Sequence, residues 1–316
     1  MPRAGTAATS RTIPLVARDL LTRVVTVING KGGVGKTTIA TNTAAFLGLS
    51  GFRVLLVDGD PQGNVGFDLG YADTERDDFG KSFAAALLFG NEVDVLKDAR
   101  PGVDVIVGGK ELHHANAALA AARRGEEPRD ALARVLAPLA PDYDLIVIDC
   151  PPGDEALQTA AIAAARWAIV PAGVDRGTQR GLVEVAERME GVLDINPDVE
   201  LLGVVVYGVE KQATVVEENT RQMIAEAVGT RDVLFQTTIR HSNTVAQQTR
   251  SRGLLVHELD DYARSQPEWW KIRRGEAEAG QAVSRTAGNV ADDLHALTQE
   301  IVERLTAREN EEAAAR

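Results

Sequence analysis

A segment rich in glycine, lysine and threonine, Gly30–Thr38, carries the clearest chemical signal in the sequence. It reads G-K-G-G-V-G-K-T-T and follows an apolar run, Val24–Ile28. Glycines at this spacing let backbone N–H groups turn towards a polyphosphate, and the helix that follows adds partial positive charge at its N-terminus. Lys36 is then placed to reach the β- and γ-phosphates, and the Thr37 hydroxyl to ligate Mg²⁺. The alternative is an ordinary glycine-rich turn. By chance, the four fixed positions of this pattern would match somewhere in roughly 1% of chains of this length.

The whole loop is predicted to bind the nucleotide: Gly30, Lys31, Gly32, Gly33, Val34, Gly35, Lys36, Thr37 and Thr38. Lys31 and Lys36 are also predicted to act in catalysis. Lys31 is too near the start of the loop to duplicate Lys36, so its side chain can point outward to phosphates that another subunit holds. A surface lysine without a role is the alternative reading of Lys31.

Acidic residues follow two apolar strands, at the positions where open α/β sheets place their ligands. The strand Arg53–Val57 ends in the string D-G-D-P, and a later strand finishes in Asp149. Asp58 and Asp149, together with Thr37, are the predicted magnesium ligands, with Asp149 acting through water. Asp60 lies past its strand end, so it can face the γ-phosphate and position the attacking water as a catalytic residue. A simple Asp-Pro turn is the alternative for Asp60.

Three strings in the sequence resemble the motifs of one family, the ParA/MinD family of deviant Walker A ATPases. They are K-G-G-V-G-K-T-T from Lys31, D-G-D-P-Q-G-N from Asp58 and I-D-C-P-P from Ile148. The resemblance covers about Val24–Leu259 and the final helix, and it is closest to the ParA (Soj-like) partitioning ATPases. It implies that Lys31 is the signature lysine that reaches across a nucleotide-sandwich dimer and that Asp60 is the hydrolytic acid.

A ParA-type protein would be a magnesium-dependent ATP hydrolase that is slow by itself and is stimulated by a ParB-like centromere-binding partner. The resemblance implies that ATP and Mg²⁺ close a homodimer that binds DNA without sequence preference. Hydrolysis would then release the DNA, and this cycling would segregate a plasmid or chromosome. A ParA-like ATPase that positions a protein cargo on the nucleoid has the same core, and the sequence does not separate the two.

Strands and helices alternate along the chain, which predicts an α/β fold with a doubly wound, mostly parallel sheet flanked by helices, as in P-loop NTPases of the deviant Walker A type. We expect a single ATPase domain over residues 24–308, with an insertion at about 260–286. Residues 1–23 are expected to form a flexible basic arm and residues 309–316 a polar tail. The predicted strands are Val24–Ile28, Arg53–Val57, Val103–Val107, Tyr143–Asp149, Trp167–Val170, Leu201–Tyr207 and Val233–Ile239.

The net charge of −12 argues against a protein that coats nucleic acid by bulk charge. Residues 240–274 nevertheless carry seven basic residues against four acids, a local excess of +3, and form a candidate DNA-facing patch. A solvated face without a partner is the alternative. The predicted DNA contacts are Arg240, Arg250, Arg252, Arg273 and Arg274.

The sequence also bears on the compartment. It contains one cysteine, Cys150, which excludes an intramolecular disulfide and fits a reducing environment. It has no apolar run of the ~18 residues that a membrane helix needs, and its start lacks a signal-peptide pattern. We therefore expect a cytoplasmic, nucleoid-associated protein without a membrane partner.

Other classes of ATPase share the same core. A MinD-like membrane ATPase needs a C-terminal helix with a basic, insertable face, whereas the tail at 308–316 carries three glutamates. A nitrogenase-iron-protein-like electron carrier bridges its dimer with an iron–sulfur cluster, for which one cysteine per subunit is too few. A dethiobiotin-synthetase-like kinase would keep the phosphate loop but has no evident use for the string at 60–64.

Two features stay open at this point. Trp269 and Trp270 in the expected insertion suggest either an exposed loop pinned by tryptophans or a partner-binding surface. The family's I-P-R-x segment lacks its proline at Ile239–Arg240, so the residues that contact adenine are not predicted.

Overall fold

The computed structural model describes residues 16–121, 127–153, 155–175, 177–210, 213–240, 242–267, 273–274, 284 and 286–315. Within them lies one eight-stranded sheet. Its strands are β1 Val24–Val27, β2 Val54–Asp58, β3 Leu96–Arg100, β4 Val103–Ile106, β5 Leu145–Asp149, β6 Trp167–Gly173, β7 Glu200–Val209 and β8 Leu234–Arg240. In space they follow the order β3-β4-β2-β5-β1-β6-β7-β8, and each neighbouring pair is parallel except β3 and β4. The predicted doubly wound, mostly parallel sheet is confirmed.

Helices cover both faces of the sheet. They are α1 Lys36–Leu49, α2 Asn64–Asp68, α3 Lys81–Phe89, α4 Leu112–Ala120, α5 Ala131–Leu136, α6 Glu155–Ala164, α7 Thr178–Glu190, α8 Thr214–Val228, α9 Asn243–Arg252, α10 Val256–Ser265 and α11 Ala287–Ala315. Buried residues of α3 to α8 form the core on one face, and those of α1, α2 and α9 to α11 form the core on the other. Because β1, β2 and β5 are buried on both faces, their sequences are nearly continuous apolar runs.

The strand register brings the predicted acids to one edge of the sheet. Val27 at the end of β1 pairs with Asp149 at the end of β5, and Asp58 at the end of β2 pairs with the same Asp149. The carboxyl ends of these parallel strands therefore meet where the chain turns into the glycine-rich loop. This edge is where an open α/β sheet binds its ligand.

One strand, β3, was not predicted. Its sequence L-K-D-A-R is mostly polar, and Lys97 and Asp98 are exposed at the edge of the sheet, while Ala99 is buried. It pairs antiparallel with β4, and Lys97 donates to Asp104 at 2.8 Å and to the Tyr143 hydroxyl at 2.8 Å. This edge strand is formed by its pairing with β4. Its own sequence lacks the alternation of apolar and polar residues that would have predicted a strand.

The structure differs from the expected flexible arm at residues 16–23. Arg18–Leu20 form a short 3₁₀ helix, and Leu21 beside it is buried in the core. Arg18 donates to the Ala163 carbonyl oxygen and pairs with Asp130. These contacts hold the segment against the domain, while residues 1–15 lie outside the described part of the chain.

The C-terminal end also differs, because α11 continues to Ala315 and includes most of the expected polar tail. Its apolar face is buried at Val290, Leu294, Leu297 and Ile301. Beyond that face, Glu309 pairs with Arg23 and Glu312 pairs with Arg166. These ion pairs stabilise the C-terminal part of the helix.

The expected insertion at 260–286 begins inside α10, which is helical to Ser265. Trp269 and Trp270 lie outside the described residues, so both readings of them stay predictions. In the described part of the chain no helix is both long enough and apolar enough to cross a bilayer.

Candidate nucleotide site

The glycine-rich loop connects β1 to α1 and turns at glycines with left-handed backbone. Gly33 has φ of +75° and Gly35, immediately before α1, has φ of +85°. A Cβ atom on Gly35 would also lie 2.2 Å from the Tyr207 ring, which is closer than real contacts allow. Glycine is therefore required at position 35 both by the backbone and by the tyrosine from β7.

The side chain of Lys36 is folded into the loop. Lys36 is 6% exposed, and its ammonium donates to the Lys31 carbonyl oxygen at 2.9 Å. Burial lowers the pKa of Lys36, while the negative charges of Asp149 and Asp60 oppose that shift. A buried ammonium held by a backbone carbonyl of the glycine-rich loop is suited to bind phosphate oxygens.

Asp58 and Asp149 are fully buried side by side at the strand ends. One oxygen of Asp58 accepts from the Asp60 N–H at 3.1 Å. The other oxygen of Asp58 and both oxygens of Asp149 have no hydrogen-bond partner of ordinary geometry among the described residues. Burial raises the pKa of Asp58 well above its usual range and that of Asp149 to about 7, although the nearby Thr37 hydroxyl lowers the pKa of Asp149.

These orphaned oxygens fit magnesium. Mg²⁺ prefers hard oxygen ligands and is usually bound by one or two carboxylates together with water and substrate phosphates. Within the residues that the structure describes, no group of three or more His, Cys, Asp or Glu side chains could hold a metal by itself. Thr37, Asp58 and Asp149 would thus hold the ion only together with phosphate oxygens, as a nucleotide site requires.

The pKa of Asp149 predicts a pH-dependent metal affinity. Because a ligating carboxyl must lose its proton, the apparent affinity of the nucleotide-bound site for Mg²⁺ should rise about tenfold between pH 6 and pH 8. The measurement is the thermal stabilisation by ADP at a series of Mg²⁺ concentrations at each pH. Asp149→Asn, which carries no ionisable group there, should remove most of this pH dependence. An unchanged dependence in Asp149→Asn would assign it to another group, with Asp58 the next to test.

Asp60 is held by the turn that follows β2. Its carboxylate accepts from the Gln62 N–H at 2.9 Å and from the Asn64 side-chain amide at 3.3 Å, and the residue is 4% exposed. The charge of Asp60 acts on the pKa of both Lys36 and Asp149, so the acid lies close to the loop and to Asp149. The structure therefore brings Lys36, Asp60 and Asp149 together at one edge.

Lys31 is separate from this group. Its side chain is 40% exposed and forms an ion pair with Asp175, which follows the end of β6. Its backbone N–H donates to the buried Asn29 side chain at 2.9 Å, and Asn29 in turn donates to the Pro171 carbonyl oxygen at 2.7 Å. Sequence analysis missed Asn29 and Asp175, although both follow the carboxyl ends of central strands, where Asp58 and Asp149 were predicted as metal ligands.

Cys150, next to Asp149, is a core residue. It is 1% exposed, and its sulfur lies 3.0 Å from the Thr26 hydroxyl. Burial raises the pKa of its thiol to about 12, so the thiolate that a nucleophile needs is not formed near neutral pH.

Comparisons with known proteins agree with this geometry. A family model described as an AAA domain matches residues 22–201. The chromosome partitioning protein ParA of Caulobacter vibrioides is 35% identical over 208 residues, which cover 64% of this chain and 76% of the relative. The chromosome-partitioning ATPase Soj of Thermus thermophilus is 35% identical over 187 residues, 58% of this chain and 68% of the relative. The chain belongs to the ParA/MinD family of ATPases.

A solved structure adds to this assignment. The cobyrinic acid a,c-diamide synthase of Mycobacterium smegmatis, with a bound ATP analogue and magnesium, superposes with a TM-score of 0.59 at 28% identity. The match covers 83% of this chain and 99% of the synthase. This fold therefore also occurs in an enzyme of a different name, a diamide synthase that binds an ATP analogue and magnesium.

The arginines predicted to contact DNA do not form a set of unpaired cations in this ParA/MinD-family chain. Arg240 makes a two-point ion pair with Asp293 of α11 at 2.7 and 2.8 Å, and Arg250 pairs with Asp68 of α2 at 3.5 Å. The guanidinium of Arg252 lies 5.2 Å above the Tyr262 ring, and residues 273 and 274 are exposed. The two acids, Asp68 and Asp293, lie outside 240–274 in the sequence. The excess of +3 counted within 240–274 therefore overstated the net positive charge of this surface.

Proposed function

We propose that this chain is an ATP-dependent, dimerising ATPase of ParA type that binds DNA without sequence preference and drives plasmid or chromosome segregation with a ParB-like partner. The names of the relatives from Caulobacter and Thermus support the segregation role. The ATP analogue and magnesium bound to the mycobacterial synthase support ATP and Mg²⁺ as the cofactors. We further propose that the protein works in the cytoplasm, associated with the nucleoid and without a membrane partner.

The observation that supports the proposed dimer is the different placement of the two loop lysines. Lys36 is buried in the loop, whereas Lys31 starts from the same loop and reaches solvent at Asp175. An exposed ion pair of this kind contributes ~1 kcal/mol or less, so it can exchange for a stronger contact with phosphate. The γ-phosphate held by a second copy of the chain is the anion that the proposal assigns to Lys31.

The proposed hydrolysis of ATP depends on where Lys36 and the acids lie around the loop. Lys36 neutralises charge on the phosphates, and Asp60 orients the attacking water from the turn after β2. Mg²⁺, when bound, would neutralise the developing charge between the β- and γ-phosphates. Because positioning and electrostatics supply most of the catalysis of phosphoryl transfer, a partner that shifts this turn would change the rate.

Lys31→Ala should bind ATP with little change and fail to dimerise. The ammonium that would reach the partner's nucleotide is lost, while the Lys36 cradle is intact. Sedimentation with ATP and Mg²⁺ measures the dimer, and nucleotide binding is measured on the same samples. Lys81→Ala, which removes an exposed lysine at the start of α3, is the matched control and should dimerise normally. An ordinary dimer in Lys31→Ala would return this residue to the surface lysine without a role.

DNA binding should be sequence-independent, should require ATP and should weaken steeply as salt is raised. In a chain of net charge −12, one patch is weak, and two patches joined in a dimer would roughly double the contacts with one duplex. Gel shifts on two unrelated duplexes, with ATP and with ADP, give the measurement. Arg252→Ala should weaken binding to both duplexes alike, and Arg240→Ala should weaken it less because Asp293 already neutralises Arg240.

Arg231→Ala is the control for the DNA experiment, since it removes an exposed arginine that is ion-paired near the start of β8. This variant should bind both duplexes as the unchanged protein does. Absence of binding with ATP at low salt would favour the ATPase that positions a protein cargo through another surface.

A further inference from the structure

The short helix α2 begins at a residue that contacts the predicted hydrolytic acid. Its first residue, Asn64, donates from the side-chain amide to the Asp60 carboxylate at 3.3 Å. Gly63, just before the helix, donates to the Asp60 carbonyl oxygen at 2.9 Å. The helix has only five residues, so it is too short to be stable by itself. Contacts with other elements therefore decide where α2 lies, and with it the turn of Asp60.

Asp68, the last residue of α2, is a buried acid. It is 6% exposed, and burial raises the pKa of its carboxyl to about 6, although the charge of Arg250 opposes this shift. A buried carboxylate is costly unless a cation pairs with it. Among the residues that the structure describes, the only ion pair of Asp68 is with Arg250 of α9, whose Nε lies 3.5 Å from its Oδ1. This pair joins the end of α2 to the last turn of α9.

The backbone segments that follow these two helices are in direct contact. Gly70 and Gly253 both have left-handed backbone, with φ of +67° and +61°. A Cβ atom on Gly253 would lie 2.5 Å from the Gly70 Cα, and one on Gly70 would lie 3.0 Å from the Gly253 carbonyl oxygen. A side chain at position 253 would therefore push the two segments apart, and glycine allows their close approach.

A second arginine, Arg100 of β3, holds the same two segments together. It donates to the Leu69 carbonyl oxygen at 2.9 Å and to the Gly253 carbonyl oxygen at 2.8 Å. Its Nε donates to Glu258 of α10 at 2.7 Å, which fixes the orientation of the guanidinium. Carbonyl groups at helix ends need partners outside the helix, and Arg100 supplies one at the end of α2 and one at the end of α9.

We propose that these contacts hold the turn of Asp60 in place for hydrolysis, and that Arg250 is a positioning residue that acts through Asp68. The α2 clamp, as we name this set, comprises Asp68, Gly70, Arg100, Arg250 and Gly253. A displacement of about 1 Å can slow catalysis about 100-fold, so a small shift of α2 is enough to matter. None of the clamp residues belongs to the glycine-rich loop, so ATP affinity should not depend on them. The effect on hydrolysis rests on the proposed function, whereas the clamp itself does not.

The clamp is tested first, by amide hydrogen exchange of residues 60–70 in the full chain without nucleotide. Arg250→Gln should raise the exchange rate of this segment about three- to tenfold, because local opening of α2 then breaks no ion pair. Asp68→Asn should raise the rate by a similar factor. Arg264→Gln is the matched control, since it removes the arginine of an exposed ion pair with Asp260 within α10. The control should leave the exchange of residues 60–70 unchanged.

Single-turnover hydrolysis and equilibrium ATP binding are then measured without DNA, so that a contact of Arg250 with DNA does not enter the result. Arg250→Gln and Asp68→Asn should each hydrolyse bound ATP about tenfold more slowly, with unchanged ATP affinity. Because both changes remove the same ion pair, the double variant should be no slower than the slower single variant. The double variant also buries no unpaired charge, which guards against a folding defect. Arg250→Lys keeps a cation and should be faster than Arg250→Gln.

Unchanged exchange of residues 60–70 in Arg250→Gln would overturn the clamp. Faster exchange with unchanged hydrolysis would overturn the positioning role of Arg250, as would single-variant effects that multiply in the double variant. A loss of ATP affinity that accounts for the slower hydrolysis would also overturn it, because the pair would then support the nucleotide site in general. A protein whose exchange responds as expected but which never hydrolyses ATP would contradict the proposed function alone.

Discussion

Asp60→Ala should bind ATP normally and turn it over about 100-fold more slowly or worse, the range expected when a group that positions or activates the nucleophile is lost. Asp60 is held by Gln62 and Asn64 in the turn after β2, and no hydrogen bond joins it to the glycine-rich loop in the described structure. Its removal therefore leaves the phosphate cradle in place. Single-turnover hydrolysis and equilibrium ATP binding are measured on the same preparation.

Asp60→Asn is the matched variant because it keeps an oxygen that can accept from the Gln62 N–H while removing the charge. A similar loss of turnover in both variants would show that the carboxylate charge is needed, beyond the shape of the turn. Asn64→Ala, which removes only a 3.3 Å contact to Asp60, should have a smaller effect. Loss of ATP affinity with turnover retained per bound ATP would mean that a different acid positions the water.

Lys36→Ala should lower the affinity for ATP about 10- to 100-fold, because a charge-assisted hydrogen bond to phosphate contributes about 1.5–3 kcal/mol. Lys36 is a buried cation of the loop, and its ammonium donates to the Lys31 carbonyl oxygen at 2.9 Å. Titration calorimetry with ATP and Mg²⁺ measures the loss. Lys36→Met, of similar length but without charge, should lose as much affinity as the alanine variant.

Thermal unfolding without nucleotide is the control for Lys36, since removing its charge also leaves Asp149 without a neighbouring cation. A variant that stays folded but binds ATP weakly confirms the role of the ammonium. Retained tight ATP binding in a folded Lys36→Ala protein would contradict the phosphate-loop assignment.

The sequence alone was sufficient to predict the class of sheet, and it placed the glycine-rich loop and the acids after the strands where the structure has them. Each is encoded locally. The loop is a run of consecutive residues, Gly30–Thr38, and Asp58 and Asp149 end strands that are buried on both faces and so read as apolar runs. Parallel strands place their carboxyl ends at one edge, so local patterns were enough to predict that the loop and these acids meet.

Only the tertiary structure decided which side chains the site residues contact. Asp175 lies 144 positions from its partner Lys31, and Asp293 lies 53 positions from Arg240. Neither ion pair can be recognised from a pattern in the sequence. Surface ion pairs form between elements that the packing of the core brings together. The same is true of Tyr207 against Gly35 and of the polar edge strand β3. Local chemistry thus determined where a nucleotide could bind, and long-range packing determined which of its lysines is buried and which arginines are already neutralised.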